Sequence, residues 1–122
     1  MRRGDLYWAE LKPRSGSEQQ GRRPVIVLSH DGFNESPAWK SIIVIPCTTS
    51  AAQSRRGPTV VPLARGTGGL PEDCAAICHQ ITTLDRSKLA QRISILPAPV
   101  LQAVETGIRA AIDLDYGFKA VN

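Results

Sequence analysis

The sequence has no long apolar segment. Its longest apolar runs extend over about six of the 122 residues, far short of the ~20 that a membrane-spanning helix needs. The chain also turns polar at Gly4 and Asp5, directly after its first three residues, whereas a secretory signal continues into an apolar stretch. We therefore expect a cytoplasmic protein with no membrane association.

Cysteine and histidine are scarce, which argues against disulfide and metal frameworks. The three cysteines are Cys47, Cys74 and Cys78, and an odd number does not make a set of paired bridges. If Cys74 and Cys78 lie on one strand, their Cα atoms are ~13 Å apart, beyond the reach of a disulfide. No cysteine has zinc-type spacing from another cysteine or from His30 or His79. We expect buried, reduced thiols and no metal site.

Familiar catalytic motifs are absent as well. The sequence contains no phosphate-binding Walker loop, no H-E-x-x-H zinc helix and no G-x-S-x-G nucleophile motif. A histidine acid–base pair stays an alternative, but nothing in the sequence places His30 near His79. We expect no cofactor.

Arginine, by contrast, is abundant. The chain has 15 basic and 11 acidic residues, a formal net charge of +4 and a pI near 9.3, and arginine outnumbers lysine heavily among its bases. The planar guanidinium fork suits phosphate better than the point charge of lysine does. The composition therefore favours a polyanionic partner.

The hydrophobic pattern predicts one mostly antiparallel β domain, residues 1–122, with a C-terminal helix. Strands are expected at Asp5–Leu11, 25–29, 42–48, 59–63, 75–83 and 93–96, with a helical turn at 85–89 and polar or basic loops at 12–22, 30–40 and 50–58. Apolar residues from Val100 to Ile112 recur at helical spacing, and Pro97 and Pro99 suit the first turn of that helix. Pro46 cannot donate to a ladder, so we expect an edge or a bulge there.

Two polar clusters stand beside the predicted buried strands. Arg22 and Arg23 precede the strand at 25–29, and Thr48 and Thr49 end the strand at 42–48. Each cluster alone also fits a structural role, as a solvated arginine pair or as strand-favouring threonines. If the second strand is regular, Thr48 shares a face with Val44 and Thr49 points the other way.

A combination of motifs spans nearly the whole chain. The segments GDLYWAEL, GSEQQGRRPVIVLS, VIPCTTS and GLPEDCAAICHQITTLDRSKL follow one another from Gly4 towards Ile112. In order and spacing they resemble the MazF/PemK family of toxin endoribonucleases. The resemblance implies an SH3-like β barrel of the PemK/CcdB type that forms a homodimer. It also implies metal-independent, sequence-specific cleavage of single-stranded RNA, and a cognate MazE-like antitoxin whose tail occupies the RNA groove.

The resemblance also assigns residues to roles. The catalytic arginine and threonine of the family fall on Arg23 and Thr48, and its RNA-holding residues match Ser17, Glu18, Gln19 and Gln80. We add four neighbouring polar residues as candidate RNA contacts, namely Arg22, Thr49, Arg55 and Arg56. Gln20 and Thr82 depart from the usual family pattern, which affects the expected RNA sequence more than the chemistry.

Aromatic stacking and two competing functions complete the expectations. Single-stranded RNA is commonly gripped by stacking, and Phe33 or Trp39, in a predicted loop, are better candidates than Trp8, which we expect in the core. One alternative function is a CcdB-like toxin that poisons a protein such as gyrase, although such proteins lack the arginine–threonine pair. The other is a non-catalytic RNA-binding barrel.

Overall fold

Antiparallel strands and one long helix make up the computed structural model, which describes residues 1–11, 21–49 and 57–114. The strands are β1 (Asp5–Leu11), β2 (Gly21–Val27), β3 (Ser41–Thr48), β4 (Val60–Leu63), β5 (Cys74–Ile77), β6 (Thr82–Asp85) and β7 (Leu89–Ile95). The helices are a single turn, α1 (Asp31–Asn34), and α2 (Ala98–Ile112). Short 3-10 turns lie at Gly57–Thr59, Thr67–Gly69, Cys78–Gln80 and Arg86–Lys88.

The strands form one curled sheet, in which β3 pairs with three other strands, β2, β5 and β6. The order is β4-β5-β3-β2-β1-β7, and β6 pairs with β3 on the same side as β5. β6 and β7 are joined by the 3-10 turn at Arg86–Lys88, and the described pairings do not close into a ring between them. The expected mostly-β fold with a C-terminal helix is confirmed, in a barrel-like sheet that stays open at this seam.

Pro46 marks the point at which β3 changes partner. Residues Ser41 to Val44 pair with β6, whereas Cys47 and Thr48 pair with β5. On the other side of β3, the Leu28 N–H donates to the Ile43 carbonyl, so Leu28 and Ile43 form a hydrogen-bonded pair. Hydrogen-bonded and non-hydrogen-bonded pairs alternate along an antiparallel ladder, and Val25–Pro46 is three pairs further on. Pro46 therefore belongs to a non-hydrogen-bonded pair with β2. The missing N–H of Pro46 therefore faces the gap between β5 and β6.

That gap corrects the predicted strand at 75–83. Between the pairs Cys47–Ala76 and Val44–Thr82, β3 advances three residues while the opposing chain advances six. The extra residues form the 3-10 turn at Cys78–Gln80, where Pro46 offers no donor for a ladder. Two other predicted strands began too late in the chain: β2 begins at Gly21 and β7 at Leu89, and both pair with β1 from those residues onward.

Hydrophobic side chains are buried on both faces of the curled sheet, in two main clusters and a small third cluster of Val60, Ala75 and Ile77. The first main cluster consists of five buried side chains from β1, β2 and β3: Ala9, Val25, Val27, Ile42 and Val44. Leu84 and Leu89 pack against it. The second main cluster lies on the other face and includes Leu6, Ile26, Ile45 and Val104 of α2. Fully buried aliphatic side chains on both faces contribute roughly 1.5–3 kcal/mol each to folding, which fixes the register of the central strands.

Helix α2 packs closely against the turn that interrupts β5 and β6. A Cβ at Gly107 would lie 2.6 Å from the Cys78 sulfur, so this approach requires a glycine. The Cys78 thiol donates to the Val104 carbonyl at 3.6 Å. No helix within the described part of the chain is long and apolar enough to cross a membrane.

The loop at 30–40 is held by a single side chain from the β6–β7 turn. Arg86 donates four hydrogen bonds of 2.9–3.0 Å, to carbonyls of the loop at Phe33, Asn34, Ser36 and Trp39. Above this arrangement the rings of Phe33 and Trp39 stack with centroids 4.4 Å apart, and both remain more than 40% exposed. The predicted polar loop is therefore an ordered structure with an aromatic pair on its surface.

Candidate functional site

The register of β2 and β3 relates the two predicted catalytic residues. The β2–β3 ladder ends at the pair Val25–Pro46, and Arg23 and Thr48 each lie two residues beyond that pair along their own strands. The described ladder ends at Val25 because Pro24 has no N–H for the next pair. By strand alternation, Thr48 shares a face with Val44, and Arg23 begins on the face of Val25 although its long side chain reaches the cleft. The sheet therefore places Arg23 and Thr48 at the same end of the β2–β3 pair, a relation that neither local cluster shows.

The guanidinium of Arg23 is partly withdrawn from water. Its Nε is buried and has no hydrogen-bond partner in the described ranges, and burial lowers the pKa of this side chain. An arginine pKa starts so far above neutrality that the group stays charged. A buried donor left without an acceptor costs about 1–3 kcal/mol, so this N–H favours the arrival of an acceptor. Thr48, at the end of β3, has only 3% of its surface exposed.

A cleft of about 160 Å³ opens next to this pair. It lies between the adjoining ends of β1, β2 and β3 and the segment that leads into β5, and its lining comprises Trp8, Arg22, Arg23, Pro24, Cys47, Thr49, Leu70, Pro71, Glu72 and Cys74. Of the two threonines, the exposed Thr49 lines the cleft, whereas Thr48 is buried in the sheet. This division agrees with the predicted alternation.

Arg22 is fixed at the rim of the cleft. Its guanidinium carbon lies 5.5 Å from the centre of the Trp8 ring, and Nη2 donates to the Gln91 side chain at 3.2 Å. A cation above an indole face is attracted by about 0.5–1 kcal/mol at an exposed site. The expectation that Trp8 belongs to the core was incomplete, because this half-buried ring lines the cleft. The register of Trp8 with Pro24 places both on one face of the β1–β2 pair.

Two thiols form part of the cleft wall. The Cys47 thiol donates a hydrogen bond to the Cys74 sulfur, which raises the pKa of Cys47 and lowers the pKa of Cys74. Cys78 belongs to the same buried cluster but does not line the cleft, and burial beneath α2 raises its pKa to about 11. All three cysteines are reduced and buried, as the sequence predicted.

The other predicted contacts are distributed differently. Gln80 is exposed on the turn at Cys78–Gln80 and is not among the residues that line the cleft. Phe33 and Trp39 lie near the first residue of β3, at the opposite end of that strand from Thr48. The remaining candidates lie outside the described residues: Ser17, Glu18, Gln19, Arg55 and Arg56.

The two histidines have local partners in separate parts of the structure. His30 accepts from the Gly32 N–H at the start of α1, and His79 shares a 2.7 Å hydrogen bond with Thr59. Neither histidine lines the cleft. Its polar chemistry therefore comes from arginine, threonine, Glu72 and thiol groups.

The sequence is similar to those of known proteins. Residues 2–112 match the family described as PemK-like, MazF-like toxin of type II toxin-antitoxin system. Endoribonuclease MazF6 of Mycobacterium tuberculosis is 33% identical, covering 92% of this chain and 96% of its own. Endoribonuclease MazF of Staphylococcus saprophyticus is 31% identical, with 99% and 95% covered.

A solved structure shows the same fold at comparable coverage. The MazE–MazF complex from Deinococcus radiodurans superposes with a TM-score of 0.72 at 28% identity, covering 94% of this chain and 97% of the matched chain. With its motifs, its register and these similarities taken together, the chain belongs to the PemK-like, MazF-like toxins of type II toxin–antitoxin systems.

Proposed function

We propose that this protein is the toxin of a type II toxin–antitoxin pair and cleaves single-stranded RNA at specific sequences, without a metal, through Arg23 and Thr48. The observation that supports this proposal is the cleft lined by Arg22, Arg23 and Thr49, the last of which directly follows Thr48 at the end of β3. The curated relatives named endoribonucleases support the reaction type.

RNA brings its own nucleophile to such a site. The ribose 2′-oxygen loses its proton and bonds to the adjacent phosphorus, while the bond from phosphorus to the 5′-oxygen breaks and that oxygen takes up a proton. Because nucleophile and phosphorus belong to one molecule, alignment replaces much of the entropic cost of a bimolecular step. The products are a 2′,3′-cyclic phosphate and a 5′-hydroxyl, and no metal-bound water is required.

The protein must then stabilise negative charge that grows on the phosphoryl oxygens. The Nε–H and Nη–H groups of Arg23 supply paired, charged donors, and the buried Nε has no partner to give up within the described structure. The Thr48 hydroxyl can donate to a non-bridging oxygen. Charge stabilisation suits both groups better than proton transfer, because the pKa of each lies far from neutrality.

In this proposal the remaining candidate residues bind the RNA on either side of the scissile phosphate. Arg22 at the cleft rim contacts phosphate, with Trp8 holding its guanidinium in place. Thr49 and Gln80 add polar contacts to the RNA, as do the residues outside the described ranges: Ser17, Glu18, Gln19, Arg55 and Arg56. Different members of this set read the bases, so the target sequence depends on them more than on Arg23.

The same groove is where the antitoxin acts in our proposal. A solved relative from Deinococcus radiodurans is a MazE–MazF complex. We place a MazE-like antitoxin of this toxin in the RNA groove, and we place the toxin, as a homodimer, in the cytoplasm with its mRNA substrate.

Cleavage of a long RNA in EDTA tests the proposal. Purified protein should cut at a few specific sites, and Thr48→Val, which keeps the shape of the side chain, should slow cleavage by about 100-fold or more, as loss of a charge-stabilising donor typically does. Arg23→Ala should have a larger effect, since it removes the charge. The matched controls Thr83→Val and Arg109→Ala change exposed residues away from the cleft and should cleave at the wild-type rate.

The same assay separates the alternatives. Intact RNA with salt-sensitive binding indicates the non-catalytic barrel. A protein that neither cuts nor binds RNA indicates a toxin that acts on another protein. A 2′-deoxy nucleotide just 5′ of the cut should block cleavage, and persistent cleavage there would refute the 2′-oxygen as the nucleophile.

A further inference from the structure

Two cysteines meet where the proposed RNA cleft borders β3 and β5. Cys47 lies opposite Ala76 in the β3–β5 ladder, so Cys74 is its diagonal neighbour, two residues before Ala76. The thiols are hydrogen-bonded to each other, and both residues line the cleft. Cys47 is 1% exposed and Cys74 is 9% exposed, so the cleft is the route by which a small molecule reaches them.

We propose that Cys47 and Cys74 are a redox modification site, at which a reversible disulfide closes the cleft and stops RNA cleavage. The part about cleavage rests on the function proposed above, whereas formation of the disulfide does not. The oxidant is hydrogen peroxide, which is small and uncharged and can enter the cleft.

The two thiols have different roles in the reaction. Cys74 is the attacking residue, because the hydrogen bond it accepts from Cys47 lowers its pKa and its exposed fraction is larger. Its thiolate attacks one peroxide oxygen, the O–O bond breaks, and the products are a sulfenic acid and hydroxide. The Cys47 sulfur then attacks the sulfenic sulfur, and water leaves as the S–S bond forms. Two thiols have been oxidised, and one peroxide has been reduced to two waters once the hydroxide is protonated.

The geometry makes this bond strained and therefore reversible. Diagonal neighbours on antiparallel strands have Cα atoms about 7–8 Å apart, slightly beyond the ~4.4–6.8 Å of ordinary disulfides. The backbone must move to close the bond, and a strained disulfide is reduced more readily. Cys74 is the first residue of β5 and follows the exposed residues 71–73, whereas Cys47 lies within β3, pairs with Ala76 and is 1% exposed. The movement therefore falls on Cys74 and on the segment before it.

That segment forms the far wall of the cleft. Leu70, Pro71 and Glu72 line it opposite Arg22 and Thr49, and residues 71–73 are exposed. Drawing Cys74 towards Cys47 moves this wall towards β3 and narrows the space that RNA would occupy. This narrowing lowers cleavage.

Cys78 supplies an internal control. It lies beneath α2, where its thiol donates to the Val104 carbonyl and its pKa is about 11. It does not line the cleft, so it should stay a thiol while the pair is oxidised.

Thiol counting by mass spectrometry tests the disulfide without any RNA. Reduced protein is treated with hydrogen peroxide, unfolded and alkylated, and we expect two of the three thiols to be lost and then recovered after a dithiol reductant. Trypsin cuts after Lys40, Arg55, Arg65 and Arg86, so the bond links peptide 41–55 to peptide 66–86. The second peptide contains Cys74 and Cys78, and the Cys78→Ala variant identifies Cys74 as the linked residue.

Cleavage assays then test the consequence. Peroxide should abolish RNA cleavage by wild-type protein and by Cys78→Ala, and a dithiol should restore it. Cys47→Ala and Cys74→Ala, each compared with its own untreated sample, should keep their activity. Absence of the 41–55 to 66–86 link overturns the proposed site. A link that leaves cleavage unchanged overturns its regulatory role, and a reduced wild-type protein that cuts no RNA overturns the proposed function instead.

Discussion

Arg86 is expected to be the strongest single determinant of the loop at 30–40. Its side chain donates four hydrogen bonds to loop carbonyls, and two of these bonds, to Asn34 and Ser36, are partly buried. Counting only the partly buried bonds, at about 1.5 kcal/mol each for a charged donor, Arg86→Ala should lower the free energy of unfolding by about 3 kcal/mol. A domain of this size loses about 4 °C of Tm per kcal/mol, so Tm should fall by about 12 °C.

Thermal and urea unfolding followed by circular dichroism measure this effect. Arg86→Lys should recover only a small part of the loss, because one ammonium cannot reach carbonyls on four residues at once. Lys88→Ala, an exposed residue in the same turn, is the matched control for the loss of one positive charge and should leave Tm unchanged. If Arg86→Lys is as stable as wild type, or if Lys88→Ala is as unstable as Arg86→Ala, the loop does not depend on the guanidinium fork.

Three further predictions concern the α2 contact, Cys78 and the cleft rim. Gly107→Ala should destabilise the fold by about 1–3 kcal/mol in urea unfolding, because its Cβ meets the Cys78 sulfur at 2.6 Å, and adding Cys78→Ala should restore part of the loss. Iodoacetamide should alkylate Cys78 of the folded protein very slowly at neutral pH and faster as pH approaches its pKa of about 11; fast alkylation at pH 7 would contradict its burial. Arg22→Gln should weaken RNA binding and reduce the slope of log affinity against log salt by about 0.7, and an unchanged slope would show that Arg22 makes no phosphate contact.

Local patterns predicted those elements whose cause is local. The apolar residues of β3 and the helical spacing from Val100 to Ile112 both gave elements that the structure confirms. The strand predicted at 75–83 failed because its interruption is caused by Pro46, on a different strand about thirty residues earlier. A one-dimensional pattern does not show which residue lies opposite which.

The candidate site shows the same difference between what local sequence predicts and what depends on distant residues. Arginine and threonine at strand ends were visible in the sequence. The relation between Arg23 and Thr48 depends on how β2 pairs with β3, and before the structure it came from the family resemblance. Trp8 and the Cys47–Cys74 pair were not predicted as cleft residues. Their types are ordinary core types, and nothing local distinguishes a buried thiol in a core from one in a cleft wall.

Within the described residues the Nε of Arg23 has no hydrogen-bond partner, so the toxin without an occupant is less stable at this site. Replacing the guanidinium with an apolar chain of similar length, as in Arg23→Met, should raise Tm while it removes cleavage, which is the usual opposition between stability and function. An occupant that accepts this hydrogen bond stabilises the folded chain by mass action. A toxin with an occupied groove is then the form that resists unfolding and proteolysis longest, and the unoccupied toxin is the form that a cell clears first.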